Sequence, residues 1–141
     1  MRTKEVDQEP ADNNEIRGWF DTYVDHRCTC QYCGYDGSRS AEDWLQLQGD
    51  HLIPKKIAGA HAEDPLNKVI SCFYCNMVKR GFDPSEGQFT KIESLEQQRV
   101  LIERARQKIE ARKKRTWGGG RGPQQCYEYM MAWIREHPPG S

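Results

Sequence analysis

The sequence predicts a small α+β domain held together by more than its apolar core. Three observations carry this. Hydrophobic residues make up 36% of the 141 residues and charged residues 30%, so the core is small for the length, and small cores usually need a staple such as a metal or a disulfide. The chain has six cysteines, and four of them fall in two C-x2-C pairs, Cys30/Cys33 and Cys72/Cys75. Between the pairs the pattern reads as two short strands, and the second pair opens a helix.

Taken in order, residues 1–14 are polar, with one proline, and read as a disordered leader. Glu15 to Asp25 places Ile16, Trp19, Phe20 and Tyr23 at helical spacing, which predicts a short amphipathic helix with those aromatics packed on the core. The stretch from Trp44 to His51 alternates apolar and polar as a half-buried strand does, and Pro54 stops it. A charged loop rich in Ala and Gly follows, then a second strand over Asn67–Ser71. Cys72 to Arg80 predicts a helix with Gly81 as its C-cap. The unit from 15 to 87 is thus the expected core. Residues 88–117 predict a basic amphipathic helix with Ile92, Leu95, Ile102, Ala105 and Ile109 on one side. Residues 118–123 form a Gly-rich break, and 124–141 a last helix, bearing Tyr127, Met130, Met131 and Trp133, with a tail.

Formal net charge is zero, with 21 Lys/Arg and 21 Asp/Glu, but it is unevenly placed. Residues 1–66 hold 7 Lys/Arg and 13 Asp/Glu, a net of −6, and residues 67–141 hold 14 and 8, a net of +6. Local rather than summed charge governs attraction to a polyanion, so a nucleic-acid partner is compatible with the neutral total. No apolar run approaches the ~20 residues needed to span a bilayer, and residues 1–15 show no apolar signal core. An intracellular, cytoplasmic setting is therefore expected. Disulfides seldom persist there, so the cysteines read as metal ligands or free thiols.

A C-x2-C pair lets one tight turn aim two thiolates at one ion, and two pairs complete a closed four-cysteine zinc site. The redox alternative usually sits in a βαβ setting, which neither pair has. The 38 residues between Cys33 and Cys72 exceed the gap of a plain zinc ribbon, so the cysteines are expected to clamp the ends of an inserted unit. Cys28 reads as a bystander, and Cys126 as a small buried hydrophobe.

A zinc clamp alone leaves Asp50-His51 and two later asparagines unexplained. The run Gly49-Asp50-His51-Leu52-Ile53-Pro54, then Asn67 before a strand, then Cys72-Phe73-Tyr74-Cys75-Asn76 with Lys79, resembles the cysteine-bearing branch of the HNH endonuclease family. The resemblance covers roughly Arg27 to Arg80. It implies a ββα-metal (His-Me finger) core and metal-dependent hydrolysis of DNA phosphodiester bonds, by nicking or double-strand cleavage, with RNA still open as a substrate. It assigns Asp50 to the catalytic cation and His51 to general base. Asn67 resembles the family's middle asparagine and would either orient the His51 ring or hold the loop. Asn76 stands at the motif's last position, where the letter of the motif has histidine.

The chemistry suits these residue types. Phosphodiester hydrolysis needs an activated water and a cation against the charge on the phosphate. Histidine titrates near working pH. A carboxylate with an amide oxygen makes a hard site favouring Mg²⁺ or Mn²⁺ over Zn²⁺. Lys79 and Arg80, and the run Arg112-Lys113-Lys114-Arg115, are candidate phosphate contacts. Each also fits a solvated helix end. The oligomeric state, monomer or homodimer, stays open. The rival reading is a zinc module that binds nucleic acid or protein without catalysis. It accounts for the cysteines and the basic segment, but leaves Asp50, His51 and Asn76 as coincidence.

Overall fold

The computed structural model describes residues 14–117 and 122–140. The expected leader, apart from its last residue, the side chain of Ile16, and residues 118–121 of the Gly-rich break lie outside that description. The architecture is α+β: a two-stranded antiparallel hairpin followed by a helix, with further helices on its flanks.

Helix α1 runs Asn14–Asp25. A one-turn helix α2, Ala41–Trp44, follows the first cysteine pair, with the Ser40 side chain accepting from Asp43 N at its start. Strand β1 is Leu47–His51. It begins three residues later than the alternation predicts, because Ser40 nucleates that turn and draws Trp44 into it. Pro54 ends the extended segment, as expected, and opens helix α3, Lys55–Ala58. Two single turns, Gly59–His61 and Pro65–Asn67, fill the rest of the connection. Strand β2, Lys68–Cys72, pairs with β1 so that Leu47 faces Cys72, Asp50 faces Val69 and His51 faces Lys68.

Helix α4, Phe73–Lys79, starts from Cys72 and stops at Arg80, whose φ is +52°. The left-handed residue that ends this helix is therefore Arg80 rather than the expected Gly81. Helix α5 spans Leu95–Trp117. It starts seven residues after Gln88, where the periodicity places it, since Ser94 accepts from Gln97 N and fixes the first turn. Leu95 is consequently exposed, while Leu101, Ala105 and Ile109, four residues apart, are buried against α4 and the cysteine loops. Ile92 is buried as expected, but from the segment before the helix. Helix α6, Pro123–Glu136, leaves Tyr129, Met130 and Trp133 exposed. Cys126 is half-buried there, less than expected.

The core gathers Tyr32, Leu52, Ile53, Val69, Ala58, Ala62, Leu101 and Ile109 around Cys30, Cys72 and Cys75. It is small and built around sulfur, in keeping with the composition. No described helix is long and apolar enough to cross a membrane.

Candidate active site and four-cysteine cluster

Neighbouring strand residues point to opposite faces, and β1 divides its side chains accordingly. Gln48 and Asp50 face α4. Gly49 and His51 face α1. The hairpin thus carries two different chemical settings, which adjoin where Lys79 reaches both Asp50 and the His51 carbonyl.

The cysteine cluster lies at the Cys72 end of the hairpin. The four Sγ atoms of Cys30, Cys33, Cys72 and Cys75 are all within 4.8 Å of one another. Tetrahedral zinc with ~2.3 Å bonds has sulfur–sulfur edges of about 3.8 Å, and Cys33 Sγ to Cys72 Sγ is 3.7 Å. The backbone supports both knuckles alike: Cys33 N donates to Cys30 Sγ and Cys75 N to Cys72 Sγ, each at 3.4 Å. Lys113 of α5 brings its ammonium to 3.4 Å from Cys75 Sγ. Sulfurs this close cannot all be thiolates without a cation. Burial, with the charges beside it, pushes the Cys33 thiol up to about 11, while hydrogen bonds from Cys72 and Cys75 hold Cys30 far down. The donor set and its spacing fit a structural zinc.

On the α4 face, Asp50 is buried and its Oδ2 accepts twice. Tyr32 Oη donates at 2.6 Å, and Lys79 Nζ lies at 3.1 Å. Burial and the Asp50 charge push the Tyr32 hydroxyl well up, so it remains a donor. Lys79 is itself only 1% exposed and also donates to the His51 carbonyl at 3.1 Å. One turn earlier on α4, Asn76 gives its Nδ2 to Gln48 Oε1 at 2.6 Å. That bond fixes the orientation of the amide. Among the hydrogen bonds of the described residues, none reaches Asp50 Oδ1 or Asn76 Oδ1.

On the α1 face, His51 Nε2 stands 2.9 Å from Glu63 Oε1. Lys68 Nζ is 3.4 Å from the other oxygen of Glu63, and Lys55 Nζ is 3.8 Å from Oε1. Burial alone would raise the Glu63 carboxyl, but the bond and charge of His51, with those of Lys68, outweigh it and hold the group below its ordinary value. An ionised carboxylate only accepts, so the proton between them belongs to Nε2. The edge of Trp19 meets the His51 ring, with centroids 5.3 Å apart. Gly49 makes room for Trp19: a Cβ on it would lie 2.5 Å from the indole.

Asn67 occupies a third place. It is 2% exposed. Its Oδ1 accepts from Ile53 N at 2.8 Å, and Nδ2 donates to Ile53 O at 3.0 Å and Ala62 O at 3.1 Å. Of the two roles expected for it, holding the loop is the one its contacts serve. No bond runs to His51, whose ring is met by Glu63 instead.

The cations expected at a phosphate divide in two. Lys79, Arg112 and Lys113 turn inward: Lys79 to Asp50, Arg112 to the carbonyls of Val78 and Lys79 at 3.0 and 2.6 Å, and Lys113 to Cys75 and the Tyr74 ring. Arg80, Lys114 and Arg115 are exposed, as are Lys55 and Lys56 beside the His51 face.

Tyr32, Gln48 and Glu63 were not legible as site residues, and Trp19 reads from sequence only as core. Gly49 carried a usable signal, because glycine inside a strand marks a close approach by another group. Glu63 carried none, since it sits in an irregular loop.

A hairpin followed by a helix, closed by four sulfurs, is the arrangement that the sequence resemblance implies. The HNH endonuclease family model matches residues 30–80. Over that segment the chain is similar to HNH endonucleases. No curated protein and no solved structure matches the chain.

Proposed function

We propose that the protein is a metal-dependent endonuclease that hydrolyses DNA phosphodiester bonds, with His51 as general base and one strand cut per domain. The observation that carries this reading is the pairing of His51 with the Glu63 carboxylate, inside the matched domain and on a partly exposed edge of the hairpin.

The residues divide the work as follows. Glu63 accepts from Nε2–H, which leaves the lone pair on Nδ1 and fixes the tautomer. Trp19 restricts rotation of the ring. Nδ1 then takes a proton from water as its oxygen attacks phosphorus, and the imidazolium formed rests against the Glu63 carboxylate. Asp50 and Asn76 would hold a Mg²⁺ or Mn²⁺ ion, which would offset charge on the phosphate and on the 3′ oxygen as the P–O3′ bond breaks. Tyr32 and Lys79 keep Asp50 in place, and Gln48 keeps Asn76 in place. Cys30, Cys33, Cys72 and Cys75 would hold zinc as a structural clamp. Because Cys75 and Asn76 are adjacent on α4, that clamp also sets the start of the helix bearing the cation's amide ligand.

The test is cleavage of supercoiled plasmid and of single-stranded RNA across a panel of divalent metals, with and without EDTA. Nicked DNA that depends on Mg²⁺ or Mn²⁺, and falls by ~10²–10⁴-fold in His51→Ala, supports the reading. Retained cleavage in His51→Ala, with the fold intact, refutes the assignment of the base. Cleavage of RNA alone would move the substrate.

A further inference from the structure

The buried Asp50–Lys79 pair has a bearing on how the site takes up its cation. Within the nuclease reading above, Asp50 is the one charged ligand, and Asn76 is neutral. Lys79 already sets a full positive charge 3.1 Å from Asp50 Oδ2. It is 1% exposed and is held from a second side by the His51 carbonyl at 3.1 Å. Arg112 also fixes the end of α4 by taking the Lys79 carbonyl at 2.6 Å, so the backbone cannot easily carry the ammonium away. Asp50 is fixed as well, by the Tyr32 hydroxyl at 2.6 Å. The pair is therefore a built part of the interior, and not a surface contact that a metal would simply displace.

A divalent cation arriving at Asp50 Oδ1 and Asn76 Oδ1 meets a protein surface whose local charge sums to about zero: one carboxylate, one ammonium, one amide. Hard cations select sites by ligand charge as much as by ligand number. Dehydrating Mg²⁺ is costly, and the ion usually completes its shell with substrate phosphate and water. The phosphodiester is the nearest anion able to make up the missing charge.

We propose that Lys79 is the resident counter-cation of Asp50, a positioning residue that keeps the free protein from binding the divalent ion tightly and makes metal uptake depend on the nucleic-acid phosphate. Metal and nucleic acid then bind cooperatively, each raising the affinity of the other by the same factor. An enzyme built this way stays metal-poor until substrate arrives.

The test uses Mn²⁺ as the probe, read by its electron paramagnetic resonance signal on the full chain with zinc in place. Wild-type protein is expected to bind Mn²⁺ weakly. Lys79→Met should tighten binding at least tenfold, because the Asp50 charge is then unopposed, while Lys79→Arg, which keeps the charge, should not. Asp50→Asn in the Lys79→Met background should abolish the gain. Thermal stability gives a second reading, because a cation that binds only the folded state stabilises it by mass action. Mn²⁺ should raise the Tm of Lys79→Met and leave that of wild type nearly unchanged. Should Lys79→Met fail to fold even with Mn²⁺, the wild-type chain decides alone. With His51→Ala to prevent turnover, a short DNA duplex should tighten Mn²⁺ binding at least tenfold beyond what duplex and protein bind separately. Tight Mn²⁺ binding by the free wild-type protein, a folded Lys79→Met with unchanged affinity, or no coupling to DNA would each overturn the proposal. The outcome is separable from that of the nuclease reading. A protein that cleaves nothing, yet gains Mn²⁺ at Asp50 on loss of Lys79 and couples Mn²⁺ to DNA, keeps this inference and loses the other. A protein that cleaves DNA with no change on loss of Lys79 does the reverse.

Discussion

Replacing Asn67 by alanine separates the two jobs that the middle asparagine of the motif could have. Three hydrogen bonds tie its amide to the backbone of Ile53 and Ala62. Alanine removes all three and leaves the Ile53 N–H and two carbonyls in a place where Asn67 is 2% exposed, so water cannot readily replace the amide. Each bond contributes ~1 kcal/mol net, and each buried group left unpaired costs ~1–3 kcal/mol. Allowing for partial relaxation, a loss of roughly 3–5 kcal/mol follows, a large share of the ~5–15 kcal/mol that holds a domain of this kind together. At ~3 °C per kcal/mol for a chain of this size, Tm should fall by about 10–15 °C. Asn67→Asp should be worse, since it keeps the acceptor for Ile53 N but sets a carboxylate oxygen against two carbonyls. Differential scanning calorimetry at fixed excess zinc gives the stability, and single-turnover cleavage below the transition gives the chemistry. The rate per folded molecule should fall much less than the ~10²–10⁴-fold of a lost general base. A variant with wild-type Tm and no activity would refute the loop role and put Asn67 on the His51 ring.

Four further outcomes are expected. Glu63→Gln should lower kcat by about tenfold through loss of tautomer control, with Tm little changed because the Glu63 side chain is 58% exposed; an unchanged kcat would remove Glu63 from the mechanism. Cys72→Ser should yield zinc-free, unfolded protein, as zinc binding supplies ~10 kcal/mol or more of folding free energy in small zinc domains. Metal analysis with circular dichroism checks this, and a folded zinc-free protein of normal Tm contradicts it. Lys114→Ala with Arg115→Ala should make the slope of log affinity for duplex DNA against log salt shallower by about one to two units, at ~0.9 per phosphate contact, as read by fluorescence anisotropy; an unchanged slope moves the grip to Lys55, Lys56 and Arg80. His26 gives a pH dependence. Burial lowers its pKa from 6.5, against the raising effect of Asp25, and its Nδ1 accepts from Ile70 N at 3.2 Å. The folded state therefore favours neutral His26. Its contribution is fully present above pH 6.5 and fades as pH falls through the lowered value. Tm measured between pH 8 and pH 5 should drop less in His26→Gln than in wild type.

The elements that follow from period and punctuation were legible: α1, both strands, the helix after the second cysteine pair, and the last helix. What shifted were the boundaries set by single side chains. Ser40 moved the start of β1 and Ser94 that of α5, because a cap acts through one hydrogen bond that hydrophobic period does not register. In the candidate site, the cysteines and the Asp50, His51, Asn67 and Asn76 positions stand out in the sequence because metal ligation and motif order constrain residue type and spacing together. Glu63, Gln48 and Tyr32 were not, since each meets its partner through the tertiary arrangement of the hairpin: Tyr32 reaches Asp50 across 18 residues and Gln48 reaches Asn76 across 28. The cations misled for a related reason. Charge density marks a segment as basic without telling which side chains turn inward, and Lys79, Arg112 and Lys113 do.

The inward turn of those cations bears on what makes the domain work as a unit. Helix α4 has seven residues, too few to be stable alone in water, yet it carries Cys75, Asn76 and Lys79. Its first turn is held by the Cys72 and Cys75 sulfurs. At its other end the carbonyls of Val78 and Lys79, which have no partner within the helix, accept from the guanidinium of Arg112, and that of Lys79 also from Phe82 N. Lys113, the next residue, sets its charge beside Cys75 and would offset part of the excess negative charge that four thiolates would place on a bound zinc ion. Across the hairpin, Trp19 fills the space over Gly49 and braces His51. Trp19, Arg112 and Lys113 all lie outside the segment that matches the HNH family. The proposed metal ligands and base lie in the matched segment, whereas groups that contact them come in good part from α1 and α5. A ββα core this short is positioned from both sides by helices whose own sequences show no trace of the motif, and the polar contacts they make, rather than their apolar faces alone, are what ties them to the chemistry.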